Sequence, residues 1–410
     1  MRQVDDGGGP PLTSVELLKN HTEMRVGIVG AGVSGLVCAQ RLLSLASPGL
    51  QLTVFEWGRG PGGRTARRRV TLDSGAELSF DHAAPFITAT PGSELEQLLN
   101  ESAEKGRAQR WAAAGENVWV GTPSNHAICK ALAEELETAG AARMLYGRHV
   151  RSAAHDPSTR EWTLRATNRA TERDEEHTFD ALVLSDKLLV LPNPYAVIAP
   201  AEWGALALPE TLASTGAVVL MLALEHPSPS VGAGLPALLS AQRHALPPPL
   251  ELVVHESAKP GRAAGGLDLW VAHSTREYAA ARLRDDDGSG PSLDDHAAVL
   301  AEMRAAALAA LSAASREVKR CASSAPSDAE APFAPTVVHA SVFAWDHAQT
   351  ARGSRVTGAT HSLDTARRAG VCGDFFAGPA GFDGVEAAAV SGASLANAML
   401  PLLRAREGST

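Results

Sequence analysis

The residues with the clearest chemistry lie in one stretch, positions 54–69 (VFEWGRGPGGRTARRR). A hydrophobic run ends in Glu56, and Arg59, Gly62, Gly63 and Arg64 follow at once. An acid beside a turn with so little side-chain bulk suits a ligand rich in hydroxyls. The arginines suit an anion, because a guanidinium presents a planar fork of donors to phosphate or carboxylate. A second glycine cluster, GAGVSG at positions 30–35, precedes this stretch and fits G-x-G-x-x-G. Gly30 permits the tight turn, Gly32 lets a pyrophosphate approach the backbone, and Gly35 lets a helix pack close to a strand. Ala31 and Ser34 lie within the same loop and count among the expected contacts. Unpaired N–H groups at the start of that helix attract phosphate. Glu56 falls 21 residues past the last glycine, where a carboxylate accepts bonds from a ribose diol. An acid there favours a free ribose over a 2′-phosphate, which it would repel. A plain tight turn is the bland alternative for the glycines.

The second loop separates two cofactors. An NAD dehydrogenase needs nothing after Glu56, whereas E-x(5)-G-G-R after such a fingerprint is the pattern of flavoproteins of the glutathione-reductase-like class. Arg64 is expected to reach phosphate or a ligand carbonyl. A third piece lies near the C-terminus, VCGDFFAGPAGFDGVEAAAVSG. Gly373 and Asp374 end a strand, and Asp374 is expected beside the ribityl chain or diphosphate. Val385 and Glu386 open a helix whose amides can point at the N1–C2=O edge of an isoalloxazine, which becomes negative on reduction. Val150 completes the expected contacts. The cofactor expected from all three pieces is FAD.

The elements that position these residues follow from hydrophobic periodicity. Residues 25–29 and 50–56 read as strands around a helix at 36–45, the opening of a nucleotide-binding α/β layer. Helices are expected at 95–100, 124–139, 294–314 and 384–403. A hairpin is expected at 149–154 and 161–166, and strands at 179–185, 217–224, 251–255, 268–274 and 370–373. Residues 322–335 read as a loop.

With 410 residues, 45% hydrophobic and 20% charged, the chain can bury a large core. A net charge of -9 argues against nucleic-acid binding. Four cysteines without CxxC spacing point to a reducing compartment, so the cytoplasm is expected, with an organelle not excluded. No continuous apolar run of about 18 residues suggests a membrane span, and no membrane partner or metal is expected. Residues 1–23 read as a flexible tail.

The order GAGVSG, E-x-x-R-G-x-G-G-R, FDHAAPFITAT, VGTP, HESAKPGR, WVAHS and GDFF…GVEAAAVSG resembles the renalase family of flavoproteins, a branch near the flavin amine oxidases. The resemblance covers roughly residues 25–400, with insertions around 199–212, 228–249 and 350–366. The sequence departs from the family in three places. Ala83-Ala84-Pro85-Phe86 replaces Gly-Ala-Gln-Tyr, Ser124-Asn125 replaces Gly-Met, and Ala344 replaces an arginine before Trp345.

The resemblance implies a glutathione-reductase-type α/β FAD domain, discontinuous over 24–95, 142–190 and 366–410. An α+β substrate domain would fill 96–141 and 191–365. It implies oxidation of an isomeric dihydronicotinamide nucleotide (the 2- or 6-dihydro form of NAD(P)H) by flavin, with O2 as acceptor and hydrogen peroxide as product. The catalytic candidates are His273 and Phe86. His273 reads equally well as a satisfied histidine, and Lys259 and Arg262 as either a phosphate attractor or an exposed turn. Lys187 sits at a strand end, outside the substrate-domain position expected of an amine-oxidase lysine. The alternatives are an amine oxidase, for which three tyrosines and nine phenylalanines are thin material for an aromatic cage, and a non-catalytic FAD-binding protein.

Overall fold

The structure is a computed structural model. It describes residues 23–404 except 46–48, 200–203, 207, 210, 227–233, 263–265, 285–290, 323–332, 352, 379 and 382–383. Nearly all of the expected tail and most of the expected loop at 322–335 lie outside the described residues.

A six-stranded sheet runs in the order Ser362–Asp364, Ala369–Val371, Ala181–Leu184, Met24–Val29, Leu50–Glu56, Ala142–Tyr146. All neighbours are parallel except the first pair. Its inner strands are almost wholly apolar because both faces are covered. On one face the helices Val33–Leu45, Glu94–Glu104, His126–Thr138 and Gly384–Arg404 pack on Val26, Ile28, Leu52 and Val54. Leu36 and Leu42 are completely buried there, each stabilising the fold by roughly 2 kcal/mol. On the other face lies a three-stranded antiparallel meander, Arg148–Asp156, Glu161–Asn168 and Arg173–Phe179. Its Trp162, Leu164 and Phe179 pack against Val29, Phe55 and Leu184.

The third meander strand is absent from the sequence-based expectation because RDEEHTF carries a single buried residue, Phe179. The expected strand at 179–185 shortens to Ala181–Leu184. Asp180 accepts a hydrogen bond from the Arg25 backbone N–H, which marks the break between meander and sheet.

A second, five-stranded antiparallel sheet runs Leu238–Ser240, Leu250–His255, Asp268–Ser274, Ser214–Glu225, Thr336–Thr350. Its back face, including Leu220, Leu222 and Trp270, packs on the helix His296–Ala322 through Val299, Met303 and Leu311. Its front face, with Val219, Met221 and Val271, meets Leu78 and Phe80 of the hairpin Arg68–Thr71 and Glu77–Phe80. That hairpin directly follows Arg64, so the front face is turned toward the glycine loops.

Two placements differ from the expected division. The helices Glu94–Glu104 and His126–Thr138 were expected with the substrate part, yet Leu95, Leu99, Ile128 and Leu132 share the core of the six-stranded sheet. The strand Ser362–Asp364 joins that sheet ahead of residue 366. The helices His296–Cys321 and Gly384–Arg404 are long and apolar enough to cross a membrane by length and composition. Here the first lays its apolar stripe on the five-stranded sheet and the second packs into the larger core.

Candidate active site

The first glycine loop leaves the end of Met24–Val29. Gly30 has φ of 102°, and a Cβ there would lie 2.2 Å from Ser185 Oγ. A Cβ on Gly35 would lie 2.1 Å from the Gly30 carbonyl oxygen. The fold itself therefore requires both glycines. Gly32 is different, since a Cβ added there meets nothing within 4 Å. The chain keeps an open cradle above the loop, in front of the N-terminus of Val33–Leu45, where a phosphate fits. Ser34 does not face this opening, because its hydroxyl donates to the Ser185 carbonyl, 3.0 Å. The second loop closes against the first. Gly62 N–H donates to Ala31 O, 2.8 Å, and a Cβ on Gly63 would lie 3.5 Å from the Gly32 Cα.

Glu56 sits between the loops. Its carboxylate accepts from Ala31 N–H (2.9 Å) and Gly58 N–H (2.6 Å). Burial pushes this carboxyl above the usual range, and the two N–H donors partly offset that. A carboxylate has about four lone-pair sites, so acceptor capacity remains for ligand hydroxyls. Beside it Trp57 is 44% exposed and stacks on His149, 4.3 Å between ring centroids. Neither residue was expected at the site, although the aromatic directly after Glu56 is visible in the sequence. Arg59 is exposed and makes no hydrogen bond or ion pair within the described residues. The Val150 side chain is buried in the core between meander and sheet, so it can offer a ligand only its backbone.

Arg64 and Asp374 were each expected to face the ligand alone. The structure joins them in a bidentate pair at 2.7 and 2.8 Å across 310 residues of chain. Asp186 approaches Arg64 to 3.5 Å. Burial opposes the Asp374 charge, yet Arg64 more than compensates and holds this carboxyl at about 2. Gly373 N–H donates to Ser391 Oγ, tying this turn to the C-terminal helix. Glu386 is not free for a ligand. Its two oxygens accept from the Thr90 N–H and hydroxyl, both at 2.8 Å, so only backbone amides near Val385 remain available at that helix start. The Val385 side chain packs against the larger core.

The front face of the five-stranded sheet supplies the opposite wall. His273 is buried and its Nε2–H donates to the His82 carbonyl, 2.8 Å. Burial lowers His273 to about 4 and His82, also opposed by Arg68 and His273, to about 4. Both rings are neutral at neutral pH. His82 meets Phe343 edge-on at 5.1 Å and Trp345 at 5.3 Å. An aromatic wall therefore exists, assembled from histidine, phenylalanine and tryptophan rather than tyrosine. The buried Trp345 Nε1 has no hydrogen-bond partner. A pocket of about 150 Å³ opens beside His273, lined also by Glu251, Arg276 and Gln349. Phe86 packs among Trp111, Val118 and Val120. Ala344 is buried and alternates to the face opposite Phe343 and Trp345.

Lys259 and Arg262 are neither an exposed turn nor a phosphate attractor. They form a buried quartet with Asp81 and Glu256. Lys259 Nζ lies 3.1 Å from Asp81, Arg262 Nε lies 3.1 Å from Glu256, and Arg262 also pairs with Asp81. Asp81 further accepts from Asn125 N–H, 3.0 Å. The quartet thus clamps three of the sequence motifs together and spends both cations internally.

The profile of NAD(P)-binding Rossmann-like domains matches residues 28–102. The lysine-specific histone demethylase 1 homolog 1 of Arabidopsis thaliana is 35% identical over 74 residues, which is 18% of this chain and only 8% of that protein's length. Among solved structures, an Exiguobacterium protein provisionally named protoporphyrinogen oxidase aligns at a TM-score of 0.57 and 9% identity, covering 93% of this chain and 99% of that one. An oxidoreductase from Methanosarcina mazei aligns at 0.51 and 13% identity, covering 90% and 99%. The chain thus contains a Rossmann-like NAD(P)-binding domain within a mixed α/β fold shared, over nearly its whole length, with these two structures.

Proposed function

We propose that this chain is an FAD-dependent oxidoreductase of renalase-like type. One observation carries the reading: the open cradle at Gly32, the carboxylate of Glu56, the second glycine loop and the Arg64–Asp374 pair converge at one end of the six-stranded sheet. The donor set fits a dinucleotide with two unlike halves. Loop amides and the helix N-terminus would hold the diphosphate, Glu56 the adenosine ribose, and the Arg64–Asp374 side the riboflavin half. Bound there, FAD would supply the hydride acceptor and the reactivity toward O2 that yields hydrogen peroxide.

The chain's own residues bind, orient and exclude water. The wall of His82, Phe343 and Trp345 is apolar enough to hold a planar substrate and keep solvent from it. His273, with Nε2–H committed to a carbonyl, keeps Nδ1 as an acceptor. Neither histidine carries a proton to give at neutral pH. That suits oxidation of a dihydronicotinamide, whose aromatic product supplies the driving force without a strong acid or base. The substrate in this reading is an isomeric dihydronicotinamide nucleotide.

A second reading, an amine oxidase, is favoured by the aromatic wall and by the histone demethylase homolog. Anaerobic mixing of the yellow holoprotein with 2-dihydro-NAD, 6-dihydro-NAD and a panel of amines separates the two. Bleaching of the visible band by the dihydronicotinamides alone supports the first reading, and bleaching by amines alone replaces it. Protein that is colourless and takes up no FAD refutes both.

A further inference from the structure

Among the described residues two lysines are fully buried, and they are treated in opposite ways. Lys259, 2% exposed, is neutralised by two carboxylates. Lys187, 1% exposed, forms no ion pair within the described residues, and its one hydrogen bond runs 3.1 Å to the hydroxyl of the equally buried Thr350. An ammonium has three N–H donors. Burying one with no carboxylate in contact costs several kcal/mol, which negative charge gained nearby offsets.

The topology says which partner. Glu56, the ribose acceptor, ends the strand on one side of Met24–Val29, and Ala181–Leu184 lies on the other. A dinucleotide crosses such a sheet from one side of the glycine loop to the other, so the turn after Leu184 belongs to the half remote from adenosine. Within that turn the roles divide. Ser185 donates to Val29 O and Gly30 O and faces the glycine loop. Asp186 faces Arg64. Lys187 turns away from both, toward the last residue of Thr336–Thr350 on the five-stranded sheet. It lies near enough to Asp374 to help hold that carboxylate ionised.

Resting on the FAD reading above, we propose that Lys187 is the positioning cation for the isoalloxazine half of the cofactor and balances the negative charge that half gains on reduction. The substrate C–H bond breaks and its hydride, two electrons and one proton, passes to the ring. The oxidised substrate is left one unit more positive and the ring one unit more negative. A fixed ammonium at the ring side favours that charge electrostatically.

Midpoint potentials are measured on the holoprotein by xanthine/xanthine oxidase titration against a reference dye, and ADP affinity on the apoprotein by calorimetry. Lys187→Met and Lys187→Gln are each expected to lower the equilibrium constant for two-electron reduction at least tenfold, about 30 mV. Lys187→Arg should restore it, and ADP should bind all forms alike. Gln keeps a donor for Thr350, so a merely structural lysine would leave its potential unchanged. That result overturns the proposal, as does a loss of ADP affinity matching any loss of FAD affinity, which would place the cation at the diphosphate. The unmutated holoprotein gives a reading that no folding defect can obscure. A saturable sulfite adduct, seen as bleaching of the visible band, supports a cation beside the ring, and no adduct refutes it. Failure of the unmutated protein to take up FAD is seen first and sinks the underlying reading, not this assignment alone.

Discussion

Replacing Gly32 by alanine separates the demands of the fold from those of the ligand. The new methyl meets no atom within 4 Å, and the backbone there is not in the left-handed region. The apoprotein should therefore gain about 0.4–1 kcal/mol, because the unfolded chain loses freedom. The ligand experiences the opposite. If a diphosphate lies against the loop, the methyl overpacks that contact by about 1–3 kcal/mol, which is roughly 5- to 150-fold in affinity. Gly35→Ala is the control. Its Cβ would sit 2.1 Å from the Gly30 oxygen, so stability and binding should fall together. The assays are urea midpoints of the apoproteins, and titration with ADP and FAD followed by heat release and flavin fluorescence. A Gly32→Ala protein that binds ADP and FAD as tightly as the parent would refute the placement of the diphosphate, whatever its stability.

Acid should weaken the fold in two steps. His82 and His273 bind protons at about 4 when folded and near 6.5 when unfolded, so the unfolded chain takes up protons first and stability falls as pH drops from 6.5 to 4. The ceiling is roughly 3 kcal/mol for each ring, and a denaturation midpoint flat between pH 7.5 and 4.5 would contradict it. Asp374 adds a further loss between about 3.8 and 2, since its carboxylate stabilises the fold only while ionised. Asp374→Asn should cost about 2 kcal/mol, below the value for a fully buried pair because Arg64 keeps 28% of its side chain exposed. It should also weaken FAD binding while sparing ADP, as comparative titration will show. Arg262→Met leaves Asp81 and Glu256 sharing one buried cation and should cost about 3–5 kcal/mol in urea unfolding. The KM of the folded fraction should not change, whereas a pure KM effect would restore a phosphate-attracting role.

The amino-acid order by itself determined the dinucleotide layer. A buried strand, a glycine turn, a helix and a second strand ending in an acid are consecutive in the chain, so their chemistry and spacing can be read locally. The same holds for the Glu161–Asn168 strand, whose alternation is regular, and for the helix at Gly384. The strand Thr336–Thr350 was not legible, because most of its positions are only half-buried and two irregularities break its register with Ser214–Glu225.

Tertiary structure alone decided the partners. Arg64 meets Asp374, Glu386 meets Thr90, and Lys259 with Arg262 meets Asp81, across 178 to 310 residues. These pairings depend on strand order and on which sheet face each residue occupies, and a charge in a sequence carries no sign of either. That is why Arg64 read as a ligand contact and Lys259 as either a phosphate attractor or an exposed turn, and why Lys187, with no carboxylate in contact, could be recognised only once the two sheets were in place.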